Sequence, residues 1–318
     1  MPLDPRVKRF LDTLAAGKPR IAIETTVAER RLGLAELMKL AGPELAVGRI
    51  EDRTLPGPEG PLAVRIYTPQ GNGAEILPGL IYFHGGGFVA GNVATHDSIG
   101  RSLANYGACR VVAVDYRLAP EHPFPAALDD ALAAVVHVGA HAALFGIDRT
   151  RLGVCGDSAG GGLAAATAQA AARIEGPRLA LQLLICPILD YSRSTESRRD
   201  FARGYLLEQA TLEHDLLHYA PGLDPGDPRV SPLRASDLAG LPRTLVHTAE
   251  FDPARDEGRD YFDRLARLHA EVSYTCHPGM IHLFYGLGAV IPYARTAMEM
   301  IGGEIRAAFG PASRESMK

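Results

Sequence analysis

The stretch Val154–Gly162, "VCGDSAGGG", decides the reading of this chain. It leaves an apolar run, "RLGVCG" (151–156), and enters an alanine-rich helical pattern over Ala159–Ile174. Between the two stands Gly-x-Ser-x-Gly, with Ser158 at its centre. So sharp a turn from strand to helix needs small residues on both sides of the serine, and Gly156 and Gly160 supply them. The turn pushes the Ser158 hydroxyl outward at the start of a helix, where the helix dipole favours developing negative charge. A serine in a solvated glycine turn would carry the same letters. The strand before and the helix after favour a nucleophile.

Outward from that turn, strands and helices alternate. The strand candidates are "GLIYFH", "CRVVAVDY", "RLGVCG", "LALQLLICPIL", "RTLVHTAE" and "VSYTCH". Helical patterns include Ala126–His141, Ala159–Ile174, Asp256–His269 and Ile291–Phe309. Nearly all-apolar strands alternating with helices predict an α/β fold, a mostly parallel sheet with helices on both faces. Upstream, "GRIEDRTL" and "LAVRIYTP" flank the turn-rich "PGPEGP" and predict an antiparallel hairpin. Residues 4–41 read as two polar-faced helices, with Thr26 and Glu29 at capping-box spacing. From Tyr191 to about Arg229 the alternation stops, and "GYLLEQATLEHDLLHYA" reads as one amphipathic helix. We expect a single domain over residues 1–318. Its helical cap would comprise about 1–45 plus an insertion at about 191–229, over the sheet's C-terminal edge.

A serine needs a base, and eleven histidines compete for that role. In this fold order the base follows the last strand. His282, in "HPGMIHLF", fits. His277 at that strand's end reads as structural, and His247 as a satisfied core residue. His214 and His218, at i, i+4 spacing on the cap helix, read as a solvated face, since no third metal ligand is evident. The base needs a carboxylate to orient it. "HTAEFDPARDEG" offers Glu250, Asp252, Asp256 and Glu257. Glu250 belongs to the strand end, and Asp256 and Glu257 open the next helix, where acidic residues act as caps. Asp252, in the loop between, is the choice. The order Ser158, Asp252, His282 is that of an α/β-hydrolase.

"IYFHGGGFVAG" (81–91) then acquires a purpose. An acyl oxyanion needs backbone N–H groups at close range, and Gly85, Gly86 and Gly87 offer bare backbone beside the nucleophile. The amide of Ala159 would complete the hole. His84 is expected to brace the glycine loop.

Composition sets the exclusions. The chain is 47% hydrophobic and 22% charged with a formal net charge of -4, and no basic run suggests nucleic acid. The longest apolar segment, "ALAAVVHVGAHAALF", is too short to span a bilayer, and the N-terminus lacks a signal-peptide core. A soluble, cytoplasmic protein is expected. Cys109, Cys155, Cys186 and Cys276 read as small buried hydrophobes without metal-ligand spacing, so no metal is expected.

Together "HGGGFVAG", "YRLAPEHPFPAA", "GDSAGGG", "DPARDEG" and "GMIHLF" resemble the hormone-sensitive-lipase-like α/β-hydrolases, the bacterial family IV carboxylesterases. The resemblance runs from about residue 50 to the end, and the N-terminal helices resemble that group's cap. It implies an eight-stranded sheet, a helical cap, no cofactor and carboxylic-ester hydrolysis. It implies Ser158, Asp252 and His282 as triad, and Gly85, Gly86 and Ala159 as oxyanion hole. Asp157 matches the GDSAG branch. Arg117 and Glu121 read as a structural pair. Two positions depart from the pattern: Gly162 stands where the family often has Asn, and Leu283 where it has Gly. Gly162, in a helix's first turn, is expected to cost some stability.

The expectation is therefore a cofactor-independent serine carboxylesterase for small-molecule esters of short-to-medium acyl chain. Phe88, Leu207 and Leu283 would shape its pocket. A hydrolase of the same fold acting on an amide, lactone or acetylated small molecule is the alternative. A ligand-binding protein is the more distant one, since plant gibberellin receptors resemble the family but lack the histidine. A dehalogenase or epoxide hydrolase would need Asp in place of Ser158. A homodimer is expected by family analogy alone.

Overall fold

The eight strands predicted from sequence form one sheet in the computed structural model, which describes residues 2–17, 25–71, 76–268 and 270–310. The strands are β1 (Arg49–Gly57), β2 (Gly60–Thr68), β3 (Leu77–Phe83), β4 (Arg110–Val114), β5 (Ile147–Asp157), β6 (Leu181–Ile185), β7 (Arg243–Phe251) and β8 (Val272–Ile281). Their order is β1-β2-β4-β3-β5-β6-β7-β8. The hairpin β1–β2 and the β2–β4 pair are antiparallel, and every other pair is parallel. Every residue of β3, β4 and β6 is buried, as strands covered on both faces must be.

The helices are α1 (Pro5–Ala16), α2 (Val27–Met38), α3 (Asp97–Gly107), α4 (Ala126–Ala140), α5 (Ala159–Ala171), α6 (Glu196–Asp200), α7 (Gln209–Tyr219), α8 (Arg255–Arg267) and α9 (Tyr293–Phe309). Around the sheet, α3 packs on α9 and α4 on α5. The capping box at Thr26 and Glu29 is present, with both reciprocal bonds made. Residues 18–24, inside the expected cap, and His269, the expected end of α8, lie outside the described residues.

Three elements differ from the sequence reading. α3 is not among the helices named from sequence, because "DSIGRSLANYG" carries few large apolar residues; Ile99 and Leu103 lie one turn apart and are buried, with Ala104 beside them. β6 is shorter than its apolar run. Cys186 turns the chain with φ 44°, its N–H donates to the His247 carbonyl, and Pro187 can extend no ladder. α7 starts at Gln209, because Gly204 and Leu206 sit at positive φ and cannot continue a helix.

The parallel strands deliver the chain's chemistry to one edge. β3 ends before His84, β5 before Ser158, β7 before Asp252 and β8 before His282. In open α/β sheets the crevice beyond the strands' carboxyl ends is where ligands bind. No helix among the described residues is long and apolar enough to cross a membrane.

Candidate active site

Ser158 sits at φ 55° and ψ −125°, the strained backbone of a nucleophile elbow. Both flanking glycines are required. A methyl on Gly156 would enter the Gly160 carbonyl, and one on Gly160 would enter the carbonyls of Phe83 and His84, each well inside the 3.0 Å that real contacts keep. The Ser158 carbonyl accepts from the amides of Gly161, Gly162 and Ile188, tying the elbow to α5 and to the loop after β6.

The Ser158 Oγ lies 2.8 Å from His282 Nε2, and His282 Nδ1 lies 2.8 Å from Asp252 Oδ2. The other carboxylate oxygen of Asp252 accepts the Ala254 amide at 2.8 Å, which fixes the carboxyl's orientation. Asp252 is fully buried and His282 nearly so. In the tautomer this geometry favours, His282 donates Nδ1–H to Asp252 and leaves Nε2 to accept the serine proton.

The rejected carboxylates have other partners. Asp256 accepts the Ser197 amide at 2.8 Å. Glu257 is not a solvated helix cap but a fully buried charge, 2.6 Å from Arg198 and accepting the amides of Leu189 and Asp190. Burial pushes its carboxyl up, against the pull of Arg198.

The glycine loop corrects one assignment. The Gly85 amide donates to Asp157 Oδ1 at 3.0 Å and so cannot also serve an oxyanion. The amides of Gly86, Gly87 and Ala159 have no protein partner among the described residues. Gly86 and Gly87 adopt φ 123° and 68°, which explains why both are glycine. Asp157 is the tether. Its Oδ1 also accepts the Tyr82 hydroxyl at 2.6 Å, and its Oδ2 that of Tyr285 at 3.2 Å. Burial raises the Asp157 carboxyl, and these donors partly oppose the rise. Tyr82 and Tyr285 escaped the sequence reading, since each looks like an ordinary core aromatic.

His84 does brace the loop. Its Nδ1 lies 2.8 Å from the Gly85 carbonyl, and its ring stacks on Tyr116, whose hydroxyl donates to the His84 carbonyl. Burial, then the neighbouring His96, lowers its pKa to about 4. His277 and His247 form a buried pair 3.2 Å apart, and His277 also reaches the Tyr293 hydroxyl.

Further corrections concern the pocket and its surroundings. Phe88 does not line the cavity at Ser158; its ring stacks on Tyr219 with centroids 3.7 Å apart. Leu207 and Leu283 do line it, Leu283 in the left-handed region at φ 63°, where the family's glycine would be unstrained. His214 is no solvated residue: it is a half-buried part of that cavity's wall. Arg117 and Glu121 are not paired with each other. Arg117 grips the buried Asp130 and Glu59, while Glu121 takes both terminal nitrogens of Arg31. Gly162 is set by close approach rather than merely tolerated, since a methyl there would enter the Ile188 carbonyl.

The cavity at Ser158 holds about 260 Å³. Its floor is Ser158, Gly86 and His282, and its walls include Leu34 and Leu37 of α2 with Leu206 and Leu207 ahead of α7. Among the described residues, the donors able to converge on a metal are Cys186, Asp252 and His282, within 4.8 Å of one another. Two of these are already hydrogen-bonded to partners, and burial pushes the Cys186 thiol up, away from the thiolate a metal would take.

Residues 80–286, from β3 past His282, match the model of a family with the α/β-hydrolase fold. The chain belongs to that family. Within it, the chain falls in the hormone-sensitive-lipase-like branch of carboxylesterases. It is 38% identical over 301 residues to carboxylesterase NlhH of Mycobacterium tuberculosis, covering 93% of this chain and 92% of that one. It is 37% identical over 311 residues to an ethyl acetate hydrolase of Pseudomonas putida, covering 95% and 98%. Among solved structures, the ester hydrolase EH1AB1 from the Lake Arreo metagenome, in complex with a bipyridine phosphonate derivative, superposes with a TM-score of 0.92 at 41% identity. That match covers 97% of this chain and 100% of the other.

Proposed function

We propose that this α/β-hydrolase is a serine carboxylesterase acting through an acyl-enzyme on small esters with short-to-medium acyl chains. The observation that carries the reading is the hydrogen-bonded line Ser158–His282–Asp252, 2.8 Å at each step, beside amides of Gly86, Gly87 and Ala159 that have no partner among the described residues. Ser158 Oγ attacks the ester carbonyl as its proton passes to His282 Nε2. Asp252 stabilises the imidazolium that forms. The tetrahedral oxyanion takes the free amides, in a buried site where such dipoles act strongly. His282 then gives its proton to the leaving alcohol, which leaves the acyl group on Ser158. A water that His282 deprotonates attacks this acyl-enzyme and releases the acid. No step calls for a metal or cofactor.

The acyl preference rests on the cavity. About 260 Å³ lies just below the usual range of ligand pockets, roughly 300–1,000 Å³. Each methylene that finds apolar wall should add about 0.8 kcal/mol. Once the chain meets Leu207 or Leu283, overpacking at about 1–3 kcal/mol should reverse the gain. We therefore expect kcat/KM to peak within about two to eight carbons. Hydrolysis of nitrophenyl esters of graded length tests this. A kcat/KM rising continuously to long chains, or an activity jump at an emulsion interface, would mean a true lipase.

A further inference from the structure

We propose that Arg30 is a positioning residue for the oxyanion loop, acting through the buried carboxylate of Asp215. The inference rests on the hole assigned above to Gly86, Gly87 and Ala159.

Asp215 lies on α7 and is 2% exposed, and burial raises its carboxyl. Oxygen Oδ2 of that carboxylate rests against the Cα of Gly87, since a methyl on Gly87 would land on it, far inside 3.0 Å. A cap residue is thus wedged against the loop whose amides point at the reacting carbonyl. The wedge helps to hold Gly87 at φ 68° and forbids any side chain there. It also brings a negative charge to the neighbourhood where an oxyanion would develop. In a site shielded from water, like charges oppose each other strongly.

Arg30 of α2 answers that charge. Its Nη2 lies 3.1 Å from Asp215 Oδ2, the oxygen that touches Gly87. Arg30 also lines the cavity that holds Ser158 and Gly86. The other titratable groups facing Asp215 are His214, 3.3 Å from its Oδ1, and the half-buried Tyr191, whose hydroxyl the carboxylate helps to push up. Of these, Arg30 alone is a permanent cation. The pair therefore presents the loop with a rigid wedge and little net charge. Without Arg30 the wedge stays but its charge is bare.

An ion pair that merely joined two cap helices would change stability and leave turnover alone. The roles separate in four folded variants, checked by circular dichroism: Arg30→Met, Arg30→Lys, Asp215→Asn and Arg30→Met/Asp215→Asn. On a short nitrophenyl ester, Arg30→Met should lose about 10- to 100-fold in kcat with KM changed by less than about threefold, a loss of the size expected for a weakened oxyanion hole. Arg30→Lys should retain most of the turnover. The double variant should recover most of what Arg30→Met lost, because Asn keeps the wedge and drops the charge. If Arg30→Met does not fold, Arg30→Gln takes its place in both comparisons. Wild-type kcat in the single variant, or a double variant no faster than the single, would overturn the proposal. Phosphonate labelling of wild-type Ser158, run alongside, reports on the serine mechanism separately. A labelled serine with an indifferent Arg30 would overturn this inference alone.

Discussion

Replacing Gly162 by alanine sets two principles against each other. Helix propensity favours alanine over glycine by about 1 kcal/mol, so the sequence alone calls the substitution stabilising. The structure calls it destabilising. The new methyl would enter the Ile188 carbonyl, well inside 3.0 Å, and a backbone atom cannot swing aside as a flexible side chain can. Either α5 or the loop after β6 must move. The adjacent amide of Ile188 donates to the Ser158 carbonyl at 3.1 Å, so that movement strains a bond worth about 1 kcal/mol. Overpacking costs about 1–3 kcal/mol and outweighs the propensity gain. We expect a net loss of about 1–2 kcal/mol in urea denaturation, a melting temperature lower by a few degrees, and a kcat lowered by the displaced elbow. A Gly162→Ala protein more stable than wild type would refute the close-approach account.

Other outcomes follow from the same contacts. Asp252→Asn should lower kcat by on the order of 10⁴-fold, while Asp256→Asn, which keeps an oxygen for the Ser197 amide but drops the charge facing Arg255, should act mainly on stability; steady-state kinetics with thermal melts would expose a reversal. Gly86→Ala should cost roughly 3 kcal/mol of transition-state stabilisation, read as kcat in a protein shown to be folded, and unchanged turnover would remove the loop from the mechanism. Acid should destabilise the protein through its buried imidazoles. Burial holds His84 and His96 at about 4 and, with His247, His277 at about 3. Their folded pKa values lie below the unfolded value near 6.5. Their contribution is therefore complete above about pH 6.5 and is lost as pH falls toward 4, by up to about 1.4 kcal/mol per pH unit for each histidine. Urea midpoints at pH 7 and pH 5 check this, and equal values would contradict it.

The sequence makes legible what a local pattern dictates. Gly156 and Gly160 announce the elbow because two backbones must pass within a van der Waals radius there. The inner strands β3, β4 and β6 show through their uniform apolarity, β1 and β2 through the turn-rich stretch between them, and Asp252 and His282 through their place after strand ends. What stays hidden depends on direction. Three successive glycines look alike as letters, yet the Gly85 amide turns to Asp157 and the next two find no partner among the described residues. Phe88 sits in the right loop but turns onto Tyr219. The partners of Arg117 and Glu121 come from Asp130 and Arg31, and the Asp215 that touches Gly87 lies 128 residues away on α7. Only tertiary packing brings such residues together.

The most direct test of the account is to treat the protein with a nitrophenyl phosphonate ester and locate the adduct by peptide mass spectrometry. The account predicts one adduct per chain, on Ser158 in "GDSAGGG", forming in step with the loss of esterase activity and absent from both Ser158→Ala and wild type treated with no phosphonate. An adduct on any other residue, or full esterase activity in Ser158→Ala, would contradict it.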